Sequence, residues 1–106
     1  MVVRCDVGDA ASVEAAFERT GSELGVVDVL MANAGTGMGG MPVAEMDETK
    51  LMEVLRTDLV GPLLCARAFV QRRRKAGGRG RVVFTGSVAG ICRRRGVRRM
   101  GWRRRG

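Results

Sequence analysis

Apolar positions along this chain follow two rhythms, and the change from one to the other marks out its elements. Val2-Val3-Arg4-Cys5 is a short extended apolar run closing on Asp6. Asp9 is suited to cap a helix over residues 10–23. Val13, Ala16, Phe17, Thr20 and Leu24 share one face of that helix, and Gly25 suits its left-handed C-terminus. The rhythm then changes. Val26-Val27-Asp28-Val29-Leu30-Met31 is continuously apolar, as in a parallel strand covered on both faces, and Asn33-Ala34-Gly35 follows it. Thr36 to Met46 is a Gly- and Met-rich loop.

Asp47 begins a second helix over residues 48–75, with Glu48 in the first turn where the macrodipole favours an acid. Its predicted buried stripe is Leu51, Val54, Leu55, Leu59, Leu63, Ala66 and Phe69 or Val70. Pro62 lies inside it and has no N–H for the carbonyl of Asp58, which predicts a kink or interruption between Asp58 and Pro62 and a free Asp58 carbonyl. Arg72-Arg73-Arg74-Lys75 sits at the C-terminal end, as a solvated helix terminus rather than a nucleic-acid patch, and Gly77-Gly78 stops the helix. Arg81-Val82-Val83-Phe84-Thr85 is the next strand, closing on Gly86-Ser87. A right-handed crossover through the long helix makes the two strands parallel and puts both closing stations on one sheet edge. Ligands of open α/β sheets bind beyond such strand ends.

Composition changes this picture in one place. The 106 residues carry a net charge of +8. Eight of the nineteen Lys and Arg fall in Ile91–Gly106, a stretch without acids, and the eleven that remain in Met1–Gly90 equal the eleven acids. The basic character therefore belongs to the tail and not to the fold. Residues 92–106 show no hydrophobic period and are expected to be disordered. The loss of pattern and charge balance at one point, Ile91, suggests a frame slip or a misread splice junction. Cys5, Cys65 and Cys92 are scattered, and without His or a CxxC pair no metal site is expected. They are expected as reduced thiols of a cytoplasmic protein, with no signal peptide and no membrane span.

With these elements in place, the stretch from Val3 to Ile91 resembles the middle of the classical short-chain dehydrogenase/reductase family. Cys5-Asp6-Val7 is similar to the family's aspartate after its third strand, which contacts the adenine of NAD or NADP. Asn33-Ala34-Gly35 is similar to the NAG motif that supports the sheet beside the cofactor. Asp58-Leu59-Val60-Gly61 stands at the position of the N-L-x-G element, with Asp58 in place of asparagine. Gly80 to Ser87 is similar to the strand that ends in the catalytic serine. Val27 to Leu30 and Thr85 to Val88 are nearest in wording to hydroxysteroid and retinol dehydrogenases.

The resemblance implies a partial Rossmann-type α/β fold: a doubly wound parallel sheet in three layers, an incomplete domain over 1–91, and the tail over 92–106. In the family's strand order, 3-2-1-4-5, the run at 2–5 becomes an orphan edge or closes against the strand at 26–31. The implied activity is NAD- or NADP-dependent oxidation or reduction of a small-molecule secondary alcohol or carbonyl, with an oligomer possible. Ser87 and Asp58 are the implied catalytic positions. Asp6, Asn33, Ala34 and Gly35 are the implied cofactor positions.

The departures are as informative. The family's T-G-x-x-x-G-x-G turn is not in the sequence. Neither is any tyrosine, and Met100 and Arg104 stand where the Tyr-x-x-x-Lys pair would fall. Asp58 is mild as a change if the family's use of the backbone carbonyl at this position, to hold a relay water, carries over. Each residue also has a plainer reading: Asp6 as a turn cap, Asn33 as a turn residue, Ser87 as a loop serine, Asp58 as a helix-surface acid. Met38, Met41 and Met46 read as loop packing rather than a substrate box. The expectation is an inactive piece of an oxidoreductase. The alternative is a non-catalytic binding protein whose arginine arm takes nucleic acid or acidic partners, though no RNA-binding motif accompanies Trp102.

Overall fold

The computed structural model describes residues 1–91. Helix α1 spans Ala10–Leu24, strand β1 Val29–Ala32, helix α2 Glu48–Leu55, helix α3 Gly61–Ala76 and strand β2 Arg81–Phe84. Short 3₁₀ turns occur at Val43–Glu45 and Val88–Gly90. The expected charged tail over residues 92–106 lies outside the described residues.

Helix α1 starts where its cap requires. The Asp9 carboxylate accepts from the Ser12 N–H at 3.2 Å, satisfying a donor the helix itself leaves open. At the other end Gly25 takes φ 89°, a conformation costly for any side chain, and its N–H closes on the Gly21 carbonyl. β1 and β2 pair in parallel, with Val29 opposite Arg81 and Ala32 opposite Phe84. One further bond flanks each end: Arg81 N–H to the Asp28 carbonyl at 3.0 Å, and Thr85 N–H to the Ala32 carbonyl at 3.1 Å. β1 is shorter than the apolar run predicts because its partner is short. Val26 and Val27 have nothing to pair with, and Val26 is exposed.

Val2–Cys5 is not a strand among the described residues. Only β1 and β2 form a sheet, so the segment has no ladder to join. It is held by side chains instead: Cys5 and Val7 pack against the core of Val13, Cys65 and Ala68. Phe17, Leu30 and Leu64 complete that cluster, and Phe69 is buried beside it. Leu30 belongs to one face of β1, so α1 and α3 cover that face together. Val29, Met31 and Val83 are exposed on the other.

The long helix is interrupted where Pro62 demands it. Arg56–Val60 forms a π-helical segment between α2 and α3, in which the Gly61 N–H reaches back to the Arg56 carbonyl. Pro62 then falls in the first turn of α3, where a missing N–H costs nothing. The extra residue turns all later side chains by about 100° relative to an unbroken α-helix. The predicted stripe holds in part: Phe69 is buried as expected, but Leu55, Leu59, Leu63 and Val70 are exposed, and Gly61, Cys65 and Ala68 point inward instead.

The basic end of α3 is less solvated than expected. Arg72 pairs with Glu14 at 2.8 Å and lies over the Phe17 ring, tying α3 to α1. Arg73 pairs with Asp28 at 3.1 Å and donates to the Gly77 carbonyl, tying α3 to the approach to β1. Neither arginine is available as part of a nucleic-acid patch.

Candidate functional site

Because β1 and β2 run in parallel, their carboxyl ends deliver Asn33-Ala34-Gly35 and Gly86-Ser87 to the same sheet edge. A direct bond joins the two stations: the Thr85 hydroxyl donates to Asn33 Oδ1 at 2.9 Å. Asp58 closes the first station from the π segment, its Oδ1 accepting from the Thr36 N–H at 2.7 Å. That carboxylate lies close over Gly35, where an added Cβ would sit 3.7 Å from Oδ1. Asp58 is therefore not an idle surface acid. It holds the chain as it leaves β1.

Ser87 is exposed, and its Oγ accepts from the Ala89 N–H at 3.2 Å, starting the 3₁₀ turn. That bond uses a lone pair and leaves the hydroxyl proton to donate elsewhere. No hydrogen bond links Ser87 to Asp58 or to Asn33. Gly86 faces open space, so a flat group can approach the backbone between the stations.

Asp6 sits apart from this pair. Its Oδ1 accepts from the Gly8 N–H at 2.9 Å, and its own N–H donates to Ser12 Oγ at 2.8 Å. This is the turn-capping geometry of an aspartate just before a helix. The turn is pressed against the π segment: a Cβ on Gly8 would lie 3.1 Å from Arg56 Cγ, and Val7 lies against Gly61. One interrupted helix turn thus positions both Asp6, through Gly8, and the Asn33 station, through Asp58.

The edge is open rather than enclosed. Two grooves of about 550 and 520 Å³ lie elsewhere, along α2 from Glu48 to Val60 and between Phe17 and Arg72, and neither contains Asn33 or Ser87. Burial pushes the Cys65 thiol pKa up, and the neighbouring Cys5 raises it further. A buried thiol shifted this way is a packing group, not a nucleophile. No metal-ligating cluster and no helix long and apolar enough to cross a membrane occurs among the described residues.

Thr85 is the site residue that sequence reasoning passed over. It lay within the quoted Thr85-Gly86-Ser87 motif without a role. Its signal was a hydroxyl on the last position of a strand, opposite a strand that ends in asparagine.

Comparison with known proteins places this geometry. The family model described as short chain dehydrogenase matches residues 1–98. Cis-4-hydroxycyclohexanecarboxylate dehydrogenase of Sinomonas cyclohexanicum is 39% identical over 88 residues, 83% of this chain and 35% of that protein. Human 17-beta-hydroxysteroid dehydrogenase type 1 is 40% identical over 89 residues, 84% of this chain and 26% of that protein. The crystal structure of a short chain dehydrogenase from Mycobacterium smegmatis superposes with a TM-score of 0.81 at 33% identity, covering 87% of this chain and 38% of that one. The chain spans less than two fifths of the length of these relatives.

Proposed function

This chain belongs to the short-chain dehydrogenase family, and from that premise we propose that residues 1–91 carry the cofactor-facing strand ends of an NAD- or NADP-dependent oxidoreductase acting on a secondary alcohol or carbonyl. The observation that carries the reading is the shared edge: Asn33 and Ser87 leave parallel neighbours, and Thr85, two residues before Ser87, donates its hydroxyl to Asn33.

The residues present fit the two outer parts of such a cofactor, the nicotinamide and the adenine. Ala34, Gly35 and Gly86 leave a low, open surface, and the Asn33 Nδ2 donors have no partner among the described residues. When bound, a nicotinamide dinucleotide supplies the hydride acceptor or donor. Ser87 orients the substrate oxygen by donating its free hydroxyl proton. Asp58 keeps the Asn33 station in place through Thr36. The second carboxylate oxygen of Asp6 is the one left for an adenine amino group, since the first is taken by Gly8.

The pyrophosphate bridge is not provided for. A backbone cradle at a helix N-terminus needs close-spaced glycines. The three Thr-Gly pairs, beginning at Thr20, Thr36 and Thr85, meet Val27, Met41 and Cys92 where the T-G-x-x-x-G-x-G spacing needs glycine. Proton transfer is not provided for either, because the sequence has no tyrosine. Loss of general acid catalysis alone costs about 10²–10⁴-fold in rate. The 106 residues by themselves therefore position a substrate oxygen but do not complete hydride transfer. The test is an assay of the purified chain with NAD(H) and NADP(H) against steroid, retinoid and small secondary alcohols. No turnover above background is expected. Turnover that disappears in Ser87→Ala would overturn this reading.

A further inference from the structure

We propose that Thr85 is a positioning residue that sets the orientation of the Asn33 amide, so that both Asn33 Nδ2–H donors face outward to an acceptor oxygen on the bound ligand. The proposal rests on the dinucleotide reading above and adds a residue to it. Thr85 grips the end of β1 twice. Its backbone N–H donates to the Ala32 carbonyl at 3.1 Å, and its hydroxyl donates to Asn33 Oδ1 at 2.9 Å. The last residue of β1 and the one after it are thus held by the two donors of the residue that follows β2.

The chemistry of an amide makes the second bond decisive. An asparagine side chain has one acceptor end and one donor end, and rotation by half a turn exchanges them. A proton donated to Oδ1 fixes which end faces β2. The Nδ2 end is then turned away, and it has no partner among the described residues. Threonine suits this task better than serine, because its branched Cβ restricts χ1 and keeps the hydroxyl aimed. Ser87 follows two residues later, so the same clamp sets the spacing between the amide and the serine hydroxyl. The ligand class is one with a hydroxyl or carboxamide oxygen lying across the carboxyl ends of β1 and β2.

The composition makes the test unusually clean. The chain has one asparagine, Asn33, and one glutamine, Gln71, so its side-chain amide spectrum contains two NH₂ pairs. Nitrogen- and carbon-labelled full-length chain is compared with Thr85→Val and Thr85→Ser. In Thr85→Val the Asn33 Cγ signal moves upfield as its oxygen loses the hydroxyl. The Asn33 NH₂ pair shifts with it, the Gln71 pair stays in place, and Thr85→Ser restores the original positions. Unchanged Asn33 signals in Thr85→Val, or a serine variant that behaves like the valine variant, would overturn the proposal. Should the valine variant lose its dispersed spectrum, the unsubstituted chain still decides. An Asn33 Cγ at the position of a free asparagine side chain overturns the clamp, and one downfield of it supports the clamp. Adding NAD⁺ is a separate arm. A shift of the Asn33 NH₂ pair in the unsubstituted chain supports the ligand role. No shift, with the clamp intact, overturns the outward ligand role of the Asn33 amide while leaving the Thr85–Asn33 geometry established; the dinucleotide reading is decided separately, by cofactor binding once the missing glycine turn is supplied.

Discussion

Gly61→Ala should destabilise this protein, although alanine is the better helix former by about 1 kcal/mol. Gly61 has φ −55°, an ordinary helical value, so the backbone accepts alanine without strain. The obstacle is Val7. A Cβ on Gly61 would lie 2.7 Å from Val7 Cγ2, 3.1 Å from Val7 Cβ and 3.2 Å from the Val7 carbonyl oxygen. Carbon atoms in contact prefer about 3.5–4.0 Å. Rotating Val7 relieves the first contact only; the other two are set by the backbone of residues 6–8. That backbone has to move out by a substantial fraction of an ångström, carrying Val7 away from the core and Asp6 with it. Overpacking of this kind costs about 1–3 kcal/mol. Less the propensity gain, the net loss is up to about 2 kcal/mol. Gly21→Ala is the matched control: it is helical, has no atom within 4 Å, and should gain up to about 1 kcal/mol. Thermal melting followed by far-ultraviolet circular dichroism reads both, with about 4–8 °C expected per kcal/mol for a domain of this size. Midpoints that move in opposite directions support the packing of Val7 on Gly61. A Gly61→Ala midpoint that rises with that of Gly21→Ala would refute the reasoning.

Asp58→Ala removes the acceptor for the Thr36 N–H and should cost no more than about 1 kcal/mol at this exposed site, while speeding hydrogen exchange at Thr36; Asp58→Asn should retain most of the protection. Equal Thr36 exchange in Asp58→Ala and the parent chain would remove Asp58 from the account. Cys65 gives a pH dependence of defined sign. Its folded pKa is raised above 9.0, so the folded state holds the thiol proton more tightly than the unfolded state. The stability it contributes is complete below the ordinary thiol range and is lost as pH rises through the higher folded value. Melting midpoints at pH 7.5 and 10 should differ more in the parent chain than in Cys65→Ala. Alkylation at pH 8 should mark Cys5 before Cys65, because Cys65 is buried and Cys5 is only half-buried.

How far these residues could be understood from sequence depends on whether the cause was local. The Asp9 cap, the Gly25 stop and the double-glycine end of α3 are short-range chemistry, and the structure places them within a residue or so of expectation. The parallel pairing of the two strands also followed, because an apolar run, a long helix and a second apolar run admit few other arrangements. Pro62 announced an interruption but not its form. A π segment shifts the helical phase, and the inward residues after it include Cys65 and Ala68 rather than Leu59 and Leu63, while Phe69 is buried as expected. Val2–Cys5 looked like a strand because β-branched residues favour one, but a strand needs a partner and β1 does not pair with it. At the site, the shared sheet edge of Asn33-Ala34-Gly35 and Ser87 was readable from the two strands and the crossover between them. The bonds that join them were not. Thr85 to Asn33 spans 52 residues and Thr36 to Asp58 spans 22, and no periodicity reports a contact across such distances.

The central claim is that the edge carrying Asn33 and Ser87 is the working edge of a dinucleotide-dependent oxidoreductase. The measurement that tests it most directly is hydride transfer by a chimera. Residues 1–91 are joined to a strand–glycine turn–helix unit on one side and a Tyr-x-x-x-Lys segment on the other, both from a family member. Substrate oxidation is followed through reduced nicotinamide absorbance, in the chimera and in its Ser87→Ala variant. The account predicts a folded chimera that binds NAD or NADP and turns over a secondary alcohol, with a loss of about 10²-fold or more in kcat/KM on Ser87→Ala. A chimera that folds but binds no dinucleotide, or one whose Ser87→Ala variant turns over as fast as its parent, would contradict it.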